Sequence, residues 1–360
     1  MTMRTPADFI AAMVRPEIRS LGAYSVARVD GMIKLDAMEN PFPLPQSVRA
    51  KLAAAVAAVP VNRYPDGNAD ALKAALRTAL DIPESLGLIL GNGSDELIQL
   101  IVSAVAKPGS ALLAPEPTFV MYRLCALYAG MRFVGVPLKP LFDLDFEAMR
   151  SAIERERPAL IFLAYPNNPT GNSFATREIE EILRIAPGPV VIDEAYHAYG
   201  EATFLPRITA FPNLIVLRTL SKIGMAGLRL GYAIAAPEWT TELNKLRPPY
   251  NVNALTQAVA PILLAEGPLF AEQVAKIKAE RSRLYAALGT MPGVVAFRTQ
   301  TNFVMARFPD AAHWFARLQD AGILVKNMDG SHPLLENCLR ITVGTAMEMD
   351  TLIAALKEIR

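Results

Sequence analysis

Short apolar runs recur through the first two thirds of the chain, and amphipathic stretches separate them. Two of these stretches, Asp95 to Ala106 and Thr176 to Ile185, repeat apolar residues every three or four positions, as in a helix with one buried face. The runs predict strands buried on both faces. They are Leu88 to Leu90, Ala111 to Ala114, Arg132 to Val136, Leu160 to Leu163, Val190 to Ile192, Leu214 to Leu217 and Tyr232 to Ala235. This alternation favours an α/β fold with a mostly parallel mixed sheet covered by helices.

The same pattern predicts three parts of the chain. Residues 1–45 form an N-terminal arm that joins a smaller domain, residues 46–250 form the large domain, and residues 251–360 form the small α/β domain, with Pro248 and Pro249 as a hinge. In the small domain we expect strands at Phe303 to Arg307, Ile323 to Lys326 and Cys338 to Val343, and a helix at Ala311 to Ala321.

Composition narrows the function to small-molecule chemistry. Thirty-six basic and thirty-five acidic residues give a net charge of +1, so no overall field attracts nucleic acid or an anionic membrane. Cys125 and Cys338 form no CxxC pair, and the three histidines lack metal-ligand spacing, so we expect no metal site. No apolar stretch of about 18 residues occurs. We expect a cytoplasmic protein.

Lys222 is the first candidate for chemistry. It follows the apolar run Leu214 to Leu217 and opens a loop that contains glycines and ends at Arg229. A lysine whose pKa is lowered there could form a Schiff base, and an arginine nearby could hold a phosphate. An exposed surface lysine is the alternative.

Asp193 and Tyr196 follow another buried run, Val190 to Ile192. A carboxylate at the end of a buried strand needs a positive partner, which a protonated ring nitrogen could supply. A helix N-cap at Asp193, with Tyr196 packed locally, is the alternative.

Two further turns follow predicted strands. Gly91-Asn92-Gly93-Ser94-Asp95 opens a helix, and backbone N–H groups there could bind a phosphate, although Ser94 could equally be a simple helix cap. In Tyr165-Pro166-Asn167-Asn168-Pro169-Thr170-Gly171 the prolines could present an asparagine side chain in a fixed direction, although an ordinary turn has the same composition.

These motifs, in this order and approximate spacing, resemble those of the pyridoxal-phosphate-dependent aminotransferases of fold type I. The resemblance implies that Lys222 binds pyridoxal 5'-phosphate covalently and that Asp193 pairs with its ring nitrogen. Asn168 and Tyr196 would contact the ring oxygen, and Phe119 would stack on the ring. Around the phosphate it implies Ser94, Asp95, Ser221 and Arg229. Many members have eight positions from lysine to arginine, whereas this chain has seven, so the loop must be tighter.

Within that family the chain most resembles the members that act on histidinol phosphate. Three segments carry this resemblance: Leu35 to Pro41, Asn62 to Gly67 and Cys338 to Thr345. It implies amino transfer from histidinol phosphate to 2-oxoglutarate, giving imidazole acetol phosphate and glutamate by a reversible ping-pong route in histidine biosynthesis. Arg340 would anchor the anionic substrates, because a guanidinium binds phosphate or carboxylate in bidentate fashion. The further substrate residues implied are Tyr24, Asn40 and Lys326.

The resemblance also implies a homodimer, in which Tyr64 reaches the cofactor phosphate of the neighbouring subunit. Other readings remain: an aromatic or broad-range aminotransferase, a decarboxylase of phosphorylated amino acids, or a non-catalytic regulator that binds the same cofactor. A regulator of that kind would need a DNA-binding module, and we expect none because the aminotransferase motifs and predicted elements occupy the sequence.

Overall fold

The computed structural model describes residues 4–23 and 31–359. Its α-helices are α1 Pro6–Met13, α2 Pro16–Arg19, α3 Gln46–Ala57, α4 Asp70–Leu80, α5 Ser94–Val105, α6 Val120–Tyr128, α7 Phe146–Glu156, α8 Thr176–Ile185, α9 Pro237–Asn244, α10 Ala254–Leu264, α11 Gly267–Gly289, α12 Ala311–Asp320 and α13 Ala346–Glu358. Its strands are β1 Ile33–Leu35, β2 Gly87–Asn92, β3 Ala111–Glu116, β4 Arg132–Pro137, β5 Leu160–Ala164, β6 Val190–Asp193, β7 Leu214–Thr219, β8 Leu230–Ala235, β9 Val295–Ala296, β10 Phe303–Arg307, β11 Ile323–Asn327 and β12 Cys338–Thr342.

Seven strands form the larger sheet in the order β2-β8-β7-β6-β5-β3-β4. Every neighbouring pair is parallel except those made by β8, which runs antiparallel to both β2 and β7. The carboxyl ends of β2, β5, β6 and β7 therefore lie at one edge of the sheet, where ligands bind in open α/β sheets. The predicted mostly parallel mixed sheet agrees with this arrangement.

Helices cover both faces of the larger sheet. Val190 and Ile192 of β6 pack into one hydrophobic cluster, whereas Val191 between them packs into the cluster on the opposite face. Side chains of a strand alternate between faces, so a strand covered on both sides needs consecutive apolar residues. This is the physical reason for the unbroken apolar runs in the sequence.

A second sheet has the order β1-β11-β12-β10-β9 and a hydrophobic cluster of its own. Strand β1 comes from the N-terminal segment and pairs in parallel with β11, while the remaining pairs are antiparallel. The chain division at residues 45 and 250 stays a prediction.

Within the described residues, no single helix is long and apolar enough to cross a membrane. Helices α10 and α11 satisfy the length and composition criteria only when taken together, and they are bent by 78° at the break between them.

Candidate active site

A cavity that is partly open to solvent lies at the strand-end edge of the larger sheet, and we call it the Lys222 cavity. It brings together every residue that the sequence predicted for the cofactor, with the exception of Tyr64. Its lining residues are Met38, Ser94, Asp95, Phe119, Tyr122, Ala164, Pro166, Asn168, Asp193, Ala195, Tyr196, Thr219, Ser221, Lys222 and Arg229.

Lys222 lies in a single 3₁₀ turn, Ser221–Ile223, directly after β7. Its Nζ is 5.9 Å from the centroid of the Tyr196 ring, and Tyr199 Oη donates a hydrogen bond to its carbonyl oxygen over 2.8 Å. Burial, together with the positive charge of Arg340, lowers the pKa of Lys222 to about 8. A neutral amine, the form that attacks an aldehyde, is therefore accessible near physiological pH.

Asp193 is the last residue of β6 and is 5% exposed. Its Oδ2 accepts a hydrogen bond from Tyr122 Oη over 2.6 Å, and its Oδ1 accepts one from the backbone N–H of Ala195 over 3.0 Å. Burial raises the pKa of Asp193 to about 6, although both hydrogen bonds oppose the rise. Within the described residues, Asp193 forms no salt bridge.

Asp193 does not cap an α-helix, as one alternative had it, because the chain after it continues as turns. Those turns are held by backbone hydrogen bonds from His197 N to Glu194 O and from Tyr199 N to Tyr196 O. They bring Tyr196, 3% exposed, to the wall of the Lys222 cavity, where its ring meets Phe303 edge to face.

Asn168 connects the larger sheet to the smaller one. It follows β5 in a turn with cis peptide bonds before Pro166 and Pro169, and its Oδ1 accepts a hydrogen bond of 2.6 Å from Arg340 Nη1. Arg340 is a buried residue of β12, and its Nη2 also donates to the carbonyl oxygen of Asp36 over 3.1 Å. The predicted substrate anchor is therefore held in position beside the cavity.

The turn before α5 has the form of an anion cradle. Gly93 is the N-cap residue, with φ of 87°, so the alternative that Ser94 caps the helix is wrong. A Cβ at Gly93 would lie 2.7 Å from Arg229 Nη2, so the guanidinium packs directly on the glycine backbone. The free N–H groups of the helix start and the arginine thus face the same end of the cavity.

The seven-residue spacing from Lys222 to Arg229 is accommodated by two tight turns. Gly224 follows the first with φ of 113°, and Arg229 itself ends the second, Ala226–Leu228, with φ of 49°. Both side chains line the Lys222 cavity. The shorter loop therefore does not separate the amine from the guanidinium.

The remaining predicted residues lie elsewhere. Asn40 lines an adjoining cavity, and its Nδ2 donates to Ile223 O and Gln273 Oε1 over 3.3 and 2.9 Å. Tyr64 is 81% exposed and stacks on Tyr250 at 4.6 Å. Lys326 is exposed, on β11 opposite Arg340 of β12. Tyr24 lies outside the described residues.

Several residues that line the cavity were not predicted for the site, and two of them, Tyr122 and Met38, form hydrogen bonds that bear on its geometry. Tyr122 is the hydrogen-bond partner of Asp193, and its position three residues after Phe119 on a helix was a usable signal. Met38 lines the cavity and has a φ of 55°. Its backbone N–H donates a hydrogen bond to Thr342 Oγ1, and its carbonyl oxygen accepts one from Asn302 Nδ2. The place of Met38 in the cavity depends on contacts with residues 304 and 264 positions away, so it could not be predicted from the local sequence.

The residues present fit pyridoxal phosphate. At one end of the cavity is Asp193, which is buried and pairs with no cation in the described part of the chain, and at the other is the glycine turn covered by Arg229. Phe119 supplies an aromatic wall and Lys222 supplies the amine. No group of three or more His, Cys, Asp or Glu side chains that could hold a metal ion occurs within residues 4–23 and 31–359.

Comparison with known families agrees with this chemistry. Residues 30–356 match the family model described as aminotransferase class I and II. The chain belongs to this family of pyridoxal-phosphate-dependent enzymes, which confirms the predicted fold class, enzyme class and cofactor. Its reaction partners are small molecules.

Individual relatives are more specific. The chain is 53% identical to "Histidinol-phosphate aminotransferase" of Chromobacterium violaceum, with 97% of this chain and 98% of the relative covered. It is 48% identical to "Histidinol-phosphate aminotransferase 1" of Ralstonia nicotianae, with 98% and 96% covered. A crystal structure of histidinol-phosphate aminotransferase from Sinorhizobium meliloti, in complex with pyridoxal-5'-phosphate, is 28% identical with a TM-score of 0.86, and 97% of each chain is covered. The predicted resemblance to this branch of the family is confirmed.

Proposed function

We propose that this enzyme transfers the amino group of histidinol phosphate to 2-oxoglutarate. The observation that carries the proposal is the placement of Arg340, which is buried, oriented by Asn168 Oδ1 and Asp36 O, and near enough to lower the pKa of Lys222. A guanidinium held in this way can bind the anionic end of each substrate in turn. The names of the relatives at 53% and 48% identity support histidinol phosphate as the amino donor.

The cofactor, when bound, supplies a conjugated ring that accepts the electron pair released at the substrate carbon. Asp193, in its ionised form, holds a proton on the ring nitrogen by charge. Asn168 and Tyr196 orient the ring oxygen, and Phe119 limits movement of the ring. Ser94, Asp95, Ser221 and Arg229 bind the phosphate, the first two through backbone N–H groups.

Lys222 moves the proton. With the cofactor bound, the free amine of Lys222 would remove the proton from the substrate carbon that bears nitrogen, first as general base and then as general acid. A pKa of about 8 keeps a usable fraction of the amine neutral. The same residues operate in the reverse direction when 2-oxoglutarate accepts the amino group, which gives ping-pong kinetics.

Three further residues, Lys326, Asn40 and Tyr24, complete the substrate site in this proposal. Lys326 lies beside Arg340 across the β11–β12 pair and contributes a positive charge toward the phosphate of the substrate. Asn40 acts from the adjoining cavity, where its amide holds the carbonyl of Ile223 next to Lys222. Tyr24 assists with the substrate phosphate.

The decisive experiment adds histidinol phosphate to the purified enzyme loaded with cofactor and follows the long-wavelength absorption band. Rapid bleaching, reversed by 2-oxoglutarate with formation of glutamate, is expected. Phenylalanine in place of histidinol phosphate should bleach the band far more slowly. If phenylalanine is the better donor, the enzyme is an aromatic aminotransferase, and carbon dioxide release would instead identify a decarboxylase. Lys222→Ala is the inactive control.

We also propose a homodimer with shared active sites. Tyr64 supports it, because the ring is 81% exposed and stacked flat on Tyr250, away from the Lys222 cavity of its own chain. Mixing Lys222→Ala protein with Tyr64→Ala protein would test it. Subunit exchange should produce one intact site per mixed dimer if Tyr64 serves the partner, and no recovery of activity would contradict the proposal.

A cytoplasmic location agrees with two buried free cysteines, and cell fractionation would test it.

A further inference from the structure

Tyr122 occupies a fixed position behind Asp193. It lies on α6, is fully buried, and donates a hydrogen bond of 2.6 Å from Oη to Asp193 Oδ2. Its ring stacks on Phe162 of β5 with the centroids 4.4 Å apart and the planes 10° from parallel. The Phe119 ring meets it edge to face at 5.7 Å. Three contacts therefore hold one side chain in place.

The phenol is suited to remain a donor. Burial raises the pKa of Tyr122 well above its ordinary value, and the neighbouring Asp193 charge raises it further. The hydroxyl therefore stays protonated near neutral pH and can donate to Asp193. With the N–H of Ala195 on Oδ1, it gives each oxygen of the carboxylate one donor. Both donors are within the protein and are in place before any cofactor binds.

We infer that Tyr122 is a positioning residue, which fixes the orientation of the Asp193 carboxylate and favours its ionised form. Its ring also holds the Phe119 ring in place by the edge-to-face contact. A charge-assisted hydrogen bond of this length is among the stronger ones in proteins. The inference rests on the cofactor chemistry of the proposed function, but not on the identity of the amino donor. Its test can therefore fail or succeed without histidinol phosphate.

Other groups facing Asp193 are accounted for. Asp95 at the start of α5 and Glu194 next in sequence raise the pKa of Asp193 by repulsion, and the buried Tyr196 phenol lies on the following turn. All three are unchanged when Tyr122 is replaced. A shift in the pH dependence of cofactor binding can then be assigned to the lost hydroxyl.

The test compares Tyr122→Phe with Tyr128→Phe, a matched change at a partly exposed position on the same helix. We expect Tyr122→Phe to weaken pyridoxal phosphate binding by about 10- to 100-fold near pH 8, as for loss of a hydrogen bond to a charged group. As the pH is lowered, cofactor binding by Tyr122→Phe should also begin to weaken at a higher pH than in the parent. The reason is that Asp193, without the Tyr122 hydrogen bond, is harder to ionise. Tyr128→Phe should match the parent.

A second comparison separates positioning from packing. In an Asp193→Asn background the phenol no longer stabilises a charge, so the added effect of Tyr122→Phe on cofactor affinity should fall to about threefold or less. An undiminished effect would overturn the inference, as would equal behaviour of Tyr122→Phe and Tyr128→Phe. If Tyr122→Phe does not fold, incorporation of 3-fluorotyrosine at position 122 gives a stronger donor of nearly the same size. Cofactor affinity should then rise, and an unchanged affinity would equally overturn the inference.

Discussion

Asp193 and Glu194 are adjacent carboxylates at the end of β6, both buried, and their surroundings are opposite. Glu194 forms an ion pair with Arg218 of β7 at 2.8 Å and accepts further hydrogen bonds from Thr203 Oγ1 and the N–H of Phe204. Asp193 has two donors, neither charged, and burial raises its pKa to about 6. A carboxylate that the protein itself neutralises has its charge already paired and serves the structure of the site. One that the protein leaves without a cation is available to bind a positive ligand.

The surroundings of Glu194 support this contrast. Thr203 bridges the ion pair, since Arg218 Nη2 also donates to its Oγ1 over 2.8 Å. His197 lies close by, and burial together with the Arg218 charge lowers the pKa of His197 to about 3, so the ring is neutral. The cluster holds the start of the turn that carries Tyr196. Its contribution is to the structure of the site.

Asp193→Asn breaks the contrast most strongly. The amide cannot hold a positive ring nitrogen, so we expect amino transfer to fall by about 10²- to 10³-fold, as for loss of a preorganised electrostatic group. The measurement is single-turnover bleaching of the cofactor band. A fall of less than tenfold would contradict the role assigned to Asp193.

The same variant has an opposite effect on stability. Because the pKa of Asp193 is raised from 3.8 to about 6 on folding, its contribution to stability is full below pH 3.8 and is lost as pH rises through 6. Asp193→Asn removes that loss, so cofactor-free protein should gain up to about 3 kcal/mol at pH 8 and little at pH 4. Urea unfolding at the two pH values checks this, and a variant less stable than the parent at pH 8 would contradict it.

Arg218→Met should lower the stability of the protein, whereas Asp193→Asn should raise it. Arg218→Met leaves Glu194 buried without its cation, and the free energy of unfolding should fall by about 3–5 kcal/mol. The double change Arg218→Met with Glu194→Gln should recover part of that loss, because no charge is then stranded. Denaturant titration of the three variants gives the coupling. If the loss in the double variant equalled the sum of the losses in Arg218→Met and Glu194→Gln alone, the pair would not be coupled.

Arg340→Lys tests a buried arginine on the substrate side of the cavity. Lysine keeps the charge but cannot donate to Asn168 Oδ1 and Asp36 O as a planar fork. We expect KM for histidinol phosphate and for 2-oxoglutarate to rise together by about 10- to 100-fold, with a smaller change in kcat. Steady-state kinetics for both half-reactions provide the measurement. A rise for only one substrate would mean that the two anions have different anchors.

Asp95→Asn should have the smallest effect. The Arg229–Asp95 pair is 3.4 Å long, and both side chains are about half exposed, so water screens it. The free energy of unfolding should change by less than about 1 kcal/mol. Thermal unfolding checks this, with Arg218→Met as the buried comparison. A loss as large as that of the buried pair would contradict the screening argument.

Local patterns predicted much of this molecule from its sequence. The bounds of α8 match the amphipathic stretch from which they were predicted, and the apolar runs placed Asp193 and Lys222 at strand ends of one sheet edge. A period of two or of three to four residues is visible within a few turns of chain, so these elements could be predicted.

Contacts between distant segments could not be predicted in the same way. Tyr122 and Asp193 are 71 residues apart, and Arg340 and Asn168 are 172 residues apart. Their pairing depends on how α6 packs on the larger sheet and on how the two sheets lie against each other. The helix cap next to Ser94 was missed for a different reason, because a left-handed glycine can begin a helix without any side-chain cap.

The parallel pairing of β6 with β7 has a consequence for redesign of this site. Asp193 is aligned with Leu217, so the carboxylate and the loop that carries Lys222 leave the sheet from neighbouring strands, about 5 Å apart. Backbone hydrogen bonds between these strands therefore set where the two segments leave the sheet, and with it the starting separation of the group proposed to hold the ring nitrogen and the amine proposed to move the proton. Substitutions can retune either group, but a cofactor of different length would require a change in strand register.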